Sequence, residues 1–407
     1  MSWQFLLLDS CHRCLGSWHI EPKENRVEVA DILRKHIADY QDHYPLWPEH
    51  RKIVFDLLNC RTAHLGGHID RCSNCGMMRI AYHSCRNRHC PTCQHVPRER
   101  WLEQRKEEIL PTDYFHVVFT LPHELNPVIL NNKEVMLNIL FKAASQTLLS
   151  FGENALGGKL GFIATLHSWD QKLKAHFHLH LLVAGGALSK DGSSWKPLKG
   201  DYLFNQQALS LVFRGKFMEH MGRACQRENL KFAGDQYKKL KARLYEKNWI
   251  IDVRDPVKKP DHVLEYLARY THRVAIANSR IKELKDGMVT FTYKNRKKGR
   301  TEALTITAVE FIRRFLLHSL PRGFVRIRHY GFLANRNRSK NLTAIRRLMG
   351  VSDPPEKQIA SVEEMMHKLT GIDISLCPGC HKGRMQLFLE IPKGVARPPN
   401  PLVVVAA

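Results

Sequence analysis

The sequence predicts an α+β fold: an antiparallel sheet of ferredoxin-like order backed by helices, preceded by a small Cys/His zinc-binding domain. Three observations lead there. Patterned segments between residues 114 and 184 run strand, long helix, strand, strand, the order of such a sheet. Residues 175–186, AHFHLHLLVAGG, alternate imidazole and apolar side chains with the period of a strand. Residues 60–93 are dense in cysteine and histidine at metal-ligand spacing.

From the start, residues 1–24 carry a lone Cys11-x-x-Cys14 and no readable period. Residues 27–40 place apolar side chains at helical spacing, and 48–58 form a second helix. Cys72-x-x-Cys75 and Cys90-x-x-Cys93, 14 residues apart, are knuckles of the kind that hold tetrahedral Zn²⁺ through four thiolates. Cys60, His68, Cys85 and His89 form a candidate second set, so one or two structural zinc ions are expected with the ligand partition open. Arg71, Arg79, Arg86, Arg88 and Arg98 interleave with them and suit phosphate contacts.

Residues 97–109 read as a charged connecting helix. The run 114–121 (YFHVVFTL), stopped by Pro122, is a buried strand, and 129–151 is a long amphipathic helix. Strands follow at 160–166 and 175–184, with Gly185-Gly186 expected to end the second at a turn. The remaining pattern gives turns over 189–204, a helix over 205–228, a strand over 249–253, and a helix over 261–274 capped by Asp261. A hairpin, 288–293 with 303–307, flanks the basic loop KNRKKGR, and 309–320, 324–327 and 342–349 read as helix, strand and helix. Cys377-Pro-Gly-Cys380 is a knuckle that could pair with Cys11 and Cys14, and the tail from 396 is expected to be disordered.

Length allows two or three domains: 1–27 as an extension, 28–108 as the zinc-binding domain, 109–350 as the catalytic domain and 351–407 as a C-terminal extension and tail. Lys and Arg number 63 against 39 Asp and Glu, a net charge of +24 that points to a polyanionic partner, nucleic acid by default. No apolar run is long enough for a membrane span or signal-peptide core, so a cytoplasmic, nucleoid-associated protein is expected.

On the 175–184 strand, His176, His178 and His180 share one face while Phe177, Leu179, Leu181 and Val183 fill the other. Imidazoles so placed can converge on a divalent ion, although His-apolar-His alone also fits a half-exposed strand without a ligand. Tyr266 and Tyr270 lie one helical turn apart beside Arg269 and Arg273. A metal gripping the non-bridging oxygens of a phosphodiester, with a tyrosine as nucleophile, would give a covalent phosphotyrosine and a free 3′-hydroxyl. A second tyrosine permits a second strand to be cut while the first is held. No Walker-type glycine loop, GxSxG or HExxH supplies a rival site.

The blocks CRTAHLGGHIDRCSNCGMMRIAYHSCRNRHCPTCQ, FTLPHEL, LHSWDQKLKAHFHLHLLVAGG, YLARYTHRVAIAN and RHYGFLANRNR resemble the two-tyrosine HUH transposases, which move insertion sequences by a rolling-circle route. The resemblance covers about residues 28–350 and implies an HUH-type sheet with His178 and His180 as the metal pair and Tyr266 and Tyr270 as nucleophiles. It implies Mg²⁺ or Mn²⁺, single-stranded DNA at the transposon ends, target DNA, 5′-phosphotyrosine intermediates and a zinc module that helps recognise DNA; a homodimer is among the assemblies it allows. A third metal ligand is expected: Gln171 is preferred because an amide oxygen suits Mg²⁺, with His167 and His176 as the other candidates. Arg86, Arg88, Arg269, Arg273, Lys294, Arg296, Lys297, Lys298, Arg328, Arg336 and Arg338 are the expected DNA contacts. The competing readings are a replication initiator or relaxase-like HUH nuclease, and a zinc-dependent DNA-binding protein whose nuclease site is dead.

Overall fold

A computed structural model of the chain describes residues 27–227, 230, 234–258, 262–263, 274–295, 297–352 and 361–394. The chain divides into two compact units, Met1–Glu99 with Ile276–Arg313 and Glu356–Ala407, and Arg100–Ala275 with Arg314–Pro355. The sequence division placed 276–313 in the catalytic domain and 351–407 in an extension, whereas Ile276–Arg313 and Glu356–Ala407 cluster with the first unit.

Strand pairing and a helix cap account for that grouping. The first unit begins with α1 (Val29–His43) and α2 (Pro48–Leu58), where Pro48 sits at a first-turn position that needs no N–H. The hairpin β1 (Gly67–Cys72) and β2 (Met78–Tyr82) follows. A late strand, Met385–Ile391, pairs antiparallel with β1, Gly67 opposite Ile391 and Cys72 opposite Met385, so the three-stranded sheet is completed by the far end of the chain. Likewise the Asn278 side chain accepts the N–H of Val29 at 3.2 Å, satisfying an orphan donor at the start of α1. The unit also holds a meander, β8 (Ile281–Lys285), β9 (Met288–Asn295) and β10 (Arg300–Thr307). The hairpin and its basic turn were expected; β8 and the late strand were not.

The second unit is built on one antiparallel sheet. Helix α3 (His95–Lys106) leads into β3 (Tyr114–Thr120). The long helix expected at 129–151 is two, α4 (Asn126–Asn131) and α5 (Lys133–Leu156), broken at Asn132. Strands β4 (Gly158–Trp169) and β5 (Ala175–Ser189) form the sheet centre, followed by β6 (Trp195–Pro197), α6 (Gln206–Gln226), α7 (Gly234–Tyr245) and β7 (Ile251–Val253). Helix α8 (Ala308–Leu317), β11 (Ile327–Gly331) and α9 (Arg338–Leu348) follow the first unit's meander. Strand order is β11-β4-β5-β3-β7, with β6 on β5. The last segments in sequence are α10 (Val362–Thr370) and β12, the late strand at Met385–Ile391.

Phe177, Leu179, Leu181 and Val183 project from one face of β5 into a core with Phe115, Val117 and Phe119 of β3, and with Met136, Leu140 and Phe141 of α5 and Phe213 and Phe217 of α6. Each such side chain contributes about 1.5–3 kcal/mol on burial. The opposite face carries the histidines at one end. At the other end a smaller core of Tyr114, Ile163, Leu182 and Ala184 packs with Leu102, Phe332, Ile345 and Val263.

Gly185-Gly186 does not end β5 as expected. The strand runs on to Ser189, pairing Gly186 with Pro197. A Cβ at Gly186 would lie 2.2 Å from the Trp195 ring, so the glycine admits an indole rather than turning the chain. No described helix is long and apolar enough to cross a membrane.

Candidate active site and metal centres

Three imidazoles meet on the face of the central sheet opposite its main core, His167 and His178 buried and His180 half-buried. Register places His167 of β4 directly opposite His178 of β5, and His180 lies two positions along the same face. The candidate ligand nitrogens of His167, His178 and His180 all lie within 4.8 Å of one another. Gln171, the preferred third ligand from sequence, sits in the turn between β4 and β5; the histidine that completes the cluster is His167. Cross-strand pairing brings His167 to the site, where counting along one strand could not. His176, the remaining candidate, is exposed, with its ring 4.6 Å from that of His178.

Hydrogen bonding fixes the protons. His178 Nδ1 is 2.9 Å from the His176 carbonyl oxygen, which only accepts, so Nδ1 carries the hydrogen and Nε2 presents a lone pair. That lone pair faces His180 Nε2 at 3.1 Å. Two facing lone pairs repel, so the gap must hold either a proton on His180 or a cation. His180 Nδ1 in turn lies 2.8 Å from Nε2 of His116 on β3. With a cation at the Nε2 atoms, His180 carries its hydrogen on Nδ1 and donates it to His116. Burial, followed by the charges of His167 and His178, pushes the His180 pKa well below its ordinary value. His116 is pushed down to about 3, by burial first and then by Arg254. Both rings are therefore neutral near pH 7, the form that binds metal. The donor set fits a divalent ion.

The surrounding packing holds this geometry. Trp169 stacks on His167 with ring centroids 5.0 Å apart. The turn carrying Gln171 is pinned by Asp170 Oδ1, which accepts the N–H groups of Lys172 and Lys174 at 2.8 Å each. Buried His318 donates from Nε2 to the Leu173 carbonyl at 3.0 Å and accepts from the Ser168 hydroxyl at 3.3 Å. Neither His116 nor His318 was singled out from sequence, and only the alternation in YFHVVFT hinted at the first.

Tyr266 and Tyr270, with Arg269, Arg273 and Arg296, lie outside the described residues. Among the other expected DNA contacts, Arg86, Lys294, Lys297, Lys298 and Arg336 are exposed, and Arg88 is half-buried. Arg328 and Arg338 have intramolecular partners. The Arg328 guanidinium lies 4.0 Å from the centroid of the Phe141 ring and donates to Asn138 at 2.6 Å, while Arg338 pairs with Glu108 at 3.1 Å.

The cysteines fall into two groups that differ from the expected partition. Cys60, Cys85, Cys90 and Cys93 form one; Cys72, Cys75, Cys377 and Cys380 form the other. The knuckles Cys72/Cys75 and Cys90/Cys93, read from sequence as one four-thiolate site, are thus in separate clusters, and His68 and His89 belong to neither. His68 instead lies 3.7 Å from Asp70. In the first group Sγ–Sγ distances include 3.2 Å for Cys60–Cys93 and 3.6 Å for Cys85–Cys93. These separations are far beyond the roughly 2 Å of a disulfide and near the spacing of tetrahedral thiolates.

Residues 32–121 match a family described as "Transposase zinc-binding domain", and residues 161–341 match one described as "Putative transposase". The transposase for insertion sequence element IS801 from Pseudomonas savastanoi pv. phaseolicola is 25% identical over 343 residues, 80% of each chain. The "Putative transposase y4qJ" of Sinorhizobium fredii is 42% identical over 388 residues, covering 92% of this chain and 97% of that one. The chain belongs to the IS91/IS801 family of transposases.

In this transposase the three clustered histidines lie within the segment 161–341, and the group Cys60, Cys85, Cys90 and Cys93 lies within the zinc-binding domain. Cys377 and Cys380 lie outside both matched segments. Among solved structures, the conjugative relaxase TrwC in complex with mutant oriT DNA covers 58% of this chain and 74% of its own at 11% identity, with a TM-score of 0.21, too slight a likeness to bear on the fold.

Proposed function

We propose that this transposase cuts and rejoins single-stranded DNA at the ends of its insertion sequence through 5′-phosphotyrosine intermediates, in a rolling-circle route. The reading rests on one arrangement. His167, His178 and His180 converge on one face of the central sheet, and Val263, fully buried, belongs to the core cluster that holds Tyr114 and Leu182. Tyr266 follows Val263 by three positions in the sequence, which supports its role as nucleophile at this site.

The three histidines would hold a divalent ion, Mg²⁺ or Mn²⁺, which supplies charge withdrawal from a phosphodiester. Nitrogen donors favour Mn²⁺ over the harder Mg²⁺. Tyr266 or Tyr270 attacks phosphorus as the phenolate, forming the P–O bond to tyrosine while the 3′-oxygen leaves and takes up a proton. The second tyrosine serves the second strand. Exposed Arg86, Lys294, Lys297, Lys298 and Arg336, with Arg269, Arg273 and Arg296, supply phosphate contacts. Cys60, Cys85, Cys90 and Cys93 hold a structural zinc ion that fixes the shape of the recognition module.

The test is a labelled single-stranded oligonucleotide from the element's end, incubated with the protein and Mn²⁺. The expected product is an adduct that survives denaturation and disappears in the Tyr266→Phe/Tyr270→Phe double variant. Binding without an adduct would mean a DNA-binding protein with a dead nuclease site.

A further inference from the structure

We propose that Cys72, Cys75, Cys377 and Cys380 form a second four-thiolate zinc site that clasps the C-terminal knuckle to the N-terminal one. The four Sγ atoms lie within 4.8 Å of one another, and Cys72–Cys380 and Cys75–Cys377 are each 3.7 Å apart. Zn–S bonds of about 2.3 Å in a tetrahedron set sulfurs about 3.8 Å apart. The second pair joins residues separated by 302 positions, so local chain geometry does not account for the match.

The two halves are built alike. Each is a Cys-x-x-Cys followed at once by a left-handed residue, Gly76 at φ +70 and His381 at φ +53. In each, the first cysteine's N–H donates back across the turn, Cys72 to Met77 and Cys377 to Gly383, both at 2.8 Å. Backbone N–H groups also point at the sulfurs: Asn74 and Cys75 at Cys72 (3.4 and 3.5 Å), Gly379 at Cys377 and Gly383 at Cys380 (both 3.4 Å). Such donors neutralise the excess negative charge of four thiolates on one dication. Gly383 is needed where the knuckles meet, since a Cβ there would lie 2.4 Å from Cys72 Sγ.

Contacts beyond the sulfurs bring the same segments together. β12 pairs with β1 along its length, and Arg79 of β2 bonds both Asp70 at 2.8 Å and the Ile374 carbonyl at 3.0 Å. The two knuckles are therefore joined by contacts besides the sulfurs, and a donor set of four sulfurs selects Zn²⁺ over harder ions.

Zinc analysis of the full chain is expected to give two ions per molecule, falling to one in Cys377→Ser/Cys380→Ser. Thiol mapping needs no variant. In the zinc-loaded parent, Cys72, Cys75, Cys377 and Cys380 resist alkylation and all four become reactive together after chelation. A variant that retains both ions, or a parent whose Cys377 and Cys380 alkylate while Cys60 and Cys93 stay protected, would overturn the proposal. The Tyr→Phe adduct assay is independent of either outcome.

Discussion

His116 and His180 stand with their rings nearly parallel, 8° apart, and their nearest nitrogens separated by 2.8 Å. Because His180 Nδ1 must donate when its Nε2 binds a cation, His116 Nε2 has to accept. It thereby sets the tautomer of a proposed metal ligand without touching the metal. Replacing it by phenylalanine removes the acceptor and should weaken Mn²⁺ binding by about 10–100-fold. His116→Gln, whose amide oxygen can accept, should restore much of the loss. Calorimetric titration with Mn²⁺ reads both, and equal weakening in the two variants would make His116 a packing residue only.

The proposed metal ligands should separate chemistry from affinity. His178→Ala with His180→Ala is expected to abolish adduct formation while single-strand binding changes by less than a few-fold, since the phosphate contacts lie elsewhere. Filter binding beside the adduct assay decides it. Parallel loss of both would show that the imidazoles hold the sheet rather than the reaction.

Buried His318 makes stability fall in acid. Burial pushes its pKa down to about 4, whereas an unfolded imidazole titrates near 6.5. Between those values the unfolded chain binds a proton that the folded chain refuses. Its contribution is thus fully present above about pH 6.5 and is lost as pH falls through about 4. His329, also pushed down to about 4 by burial and then Arg105, acts in the same direction. Unfolding free energy from denaturant titration should fall between pH 7 and 4.5, less steeply in His318→Gln by up to about 1.4 kcal/mol per pH unit. Identical slopes in the two proteins would contradict this.

A net charge of +24 should appear in the salt response. Each phosphate neutralised on a single strand adds about 0.7 to the slope of log affinity against log salt. Replacing Lys294, Lys297 and Lys298 by glutamine should lower that slope by up to about 2. Arg328→Gln should reduce thermal stability instead, because its guanidinium lies over the buried Phe141 ring.

What was legible in the sequence was whatever local pattern dictates. The bounds of α2 follow from Pro48 and its apolar period, and the two faces of β5 follow from strict alternation of histidine with phenylalanine, leucine and valine. The zinc partition was not legible, because Cys72 finds Cys380 through a strand pairing that spans most of the chain. β12 gave little signal because Leu387, Phe388 and Leu389 are apolar on both faces and all three remain exposed, so the run lacks a strand's usual alternation. His167 was underweighted against Gln171 because donor chemistry alone favoured the amide, while the cross-strand register that places His167 opposite His178 is a tertiary fact.

The pairing of β1 with β12 has a consequence for biosynthesis. Ribosomes add about 5–20 residues each second, so the amino-terminal hairpin waits roughly 15–60 s for its third strand to emerge. Throughout that interval its edge is bare and two of its thiols face no counterpart. A message cut short before codon 377 would yield a polypeptide whose opening module never closes, and cellular proteases would meet it in that unfinished state.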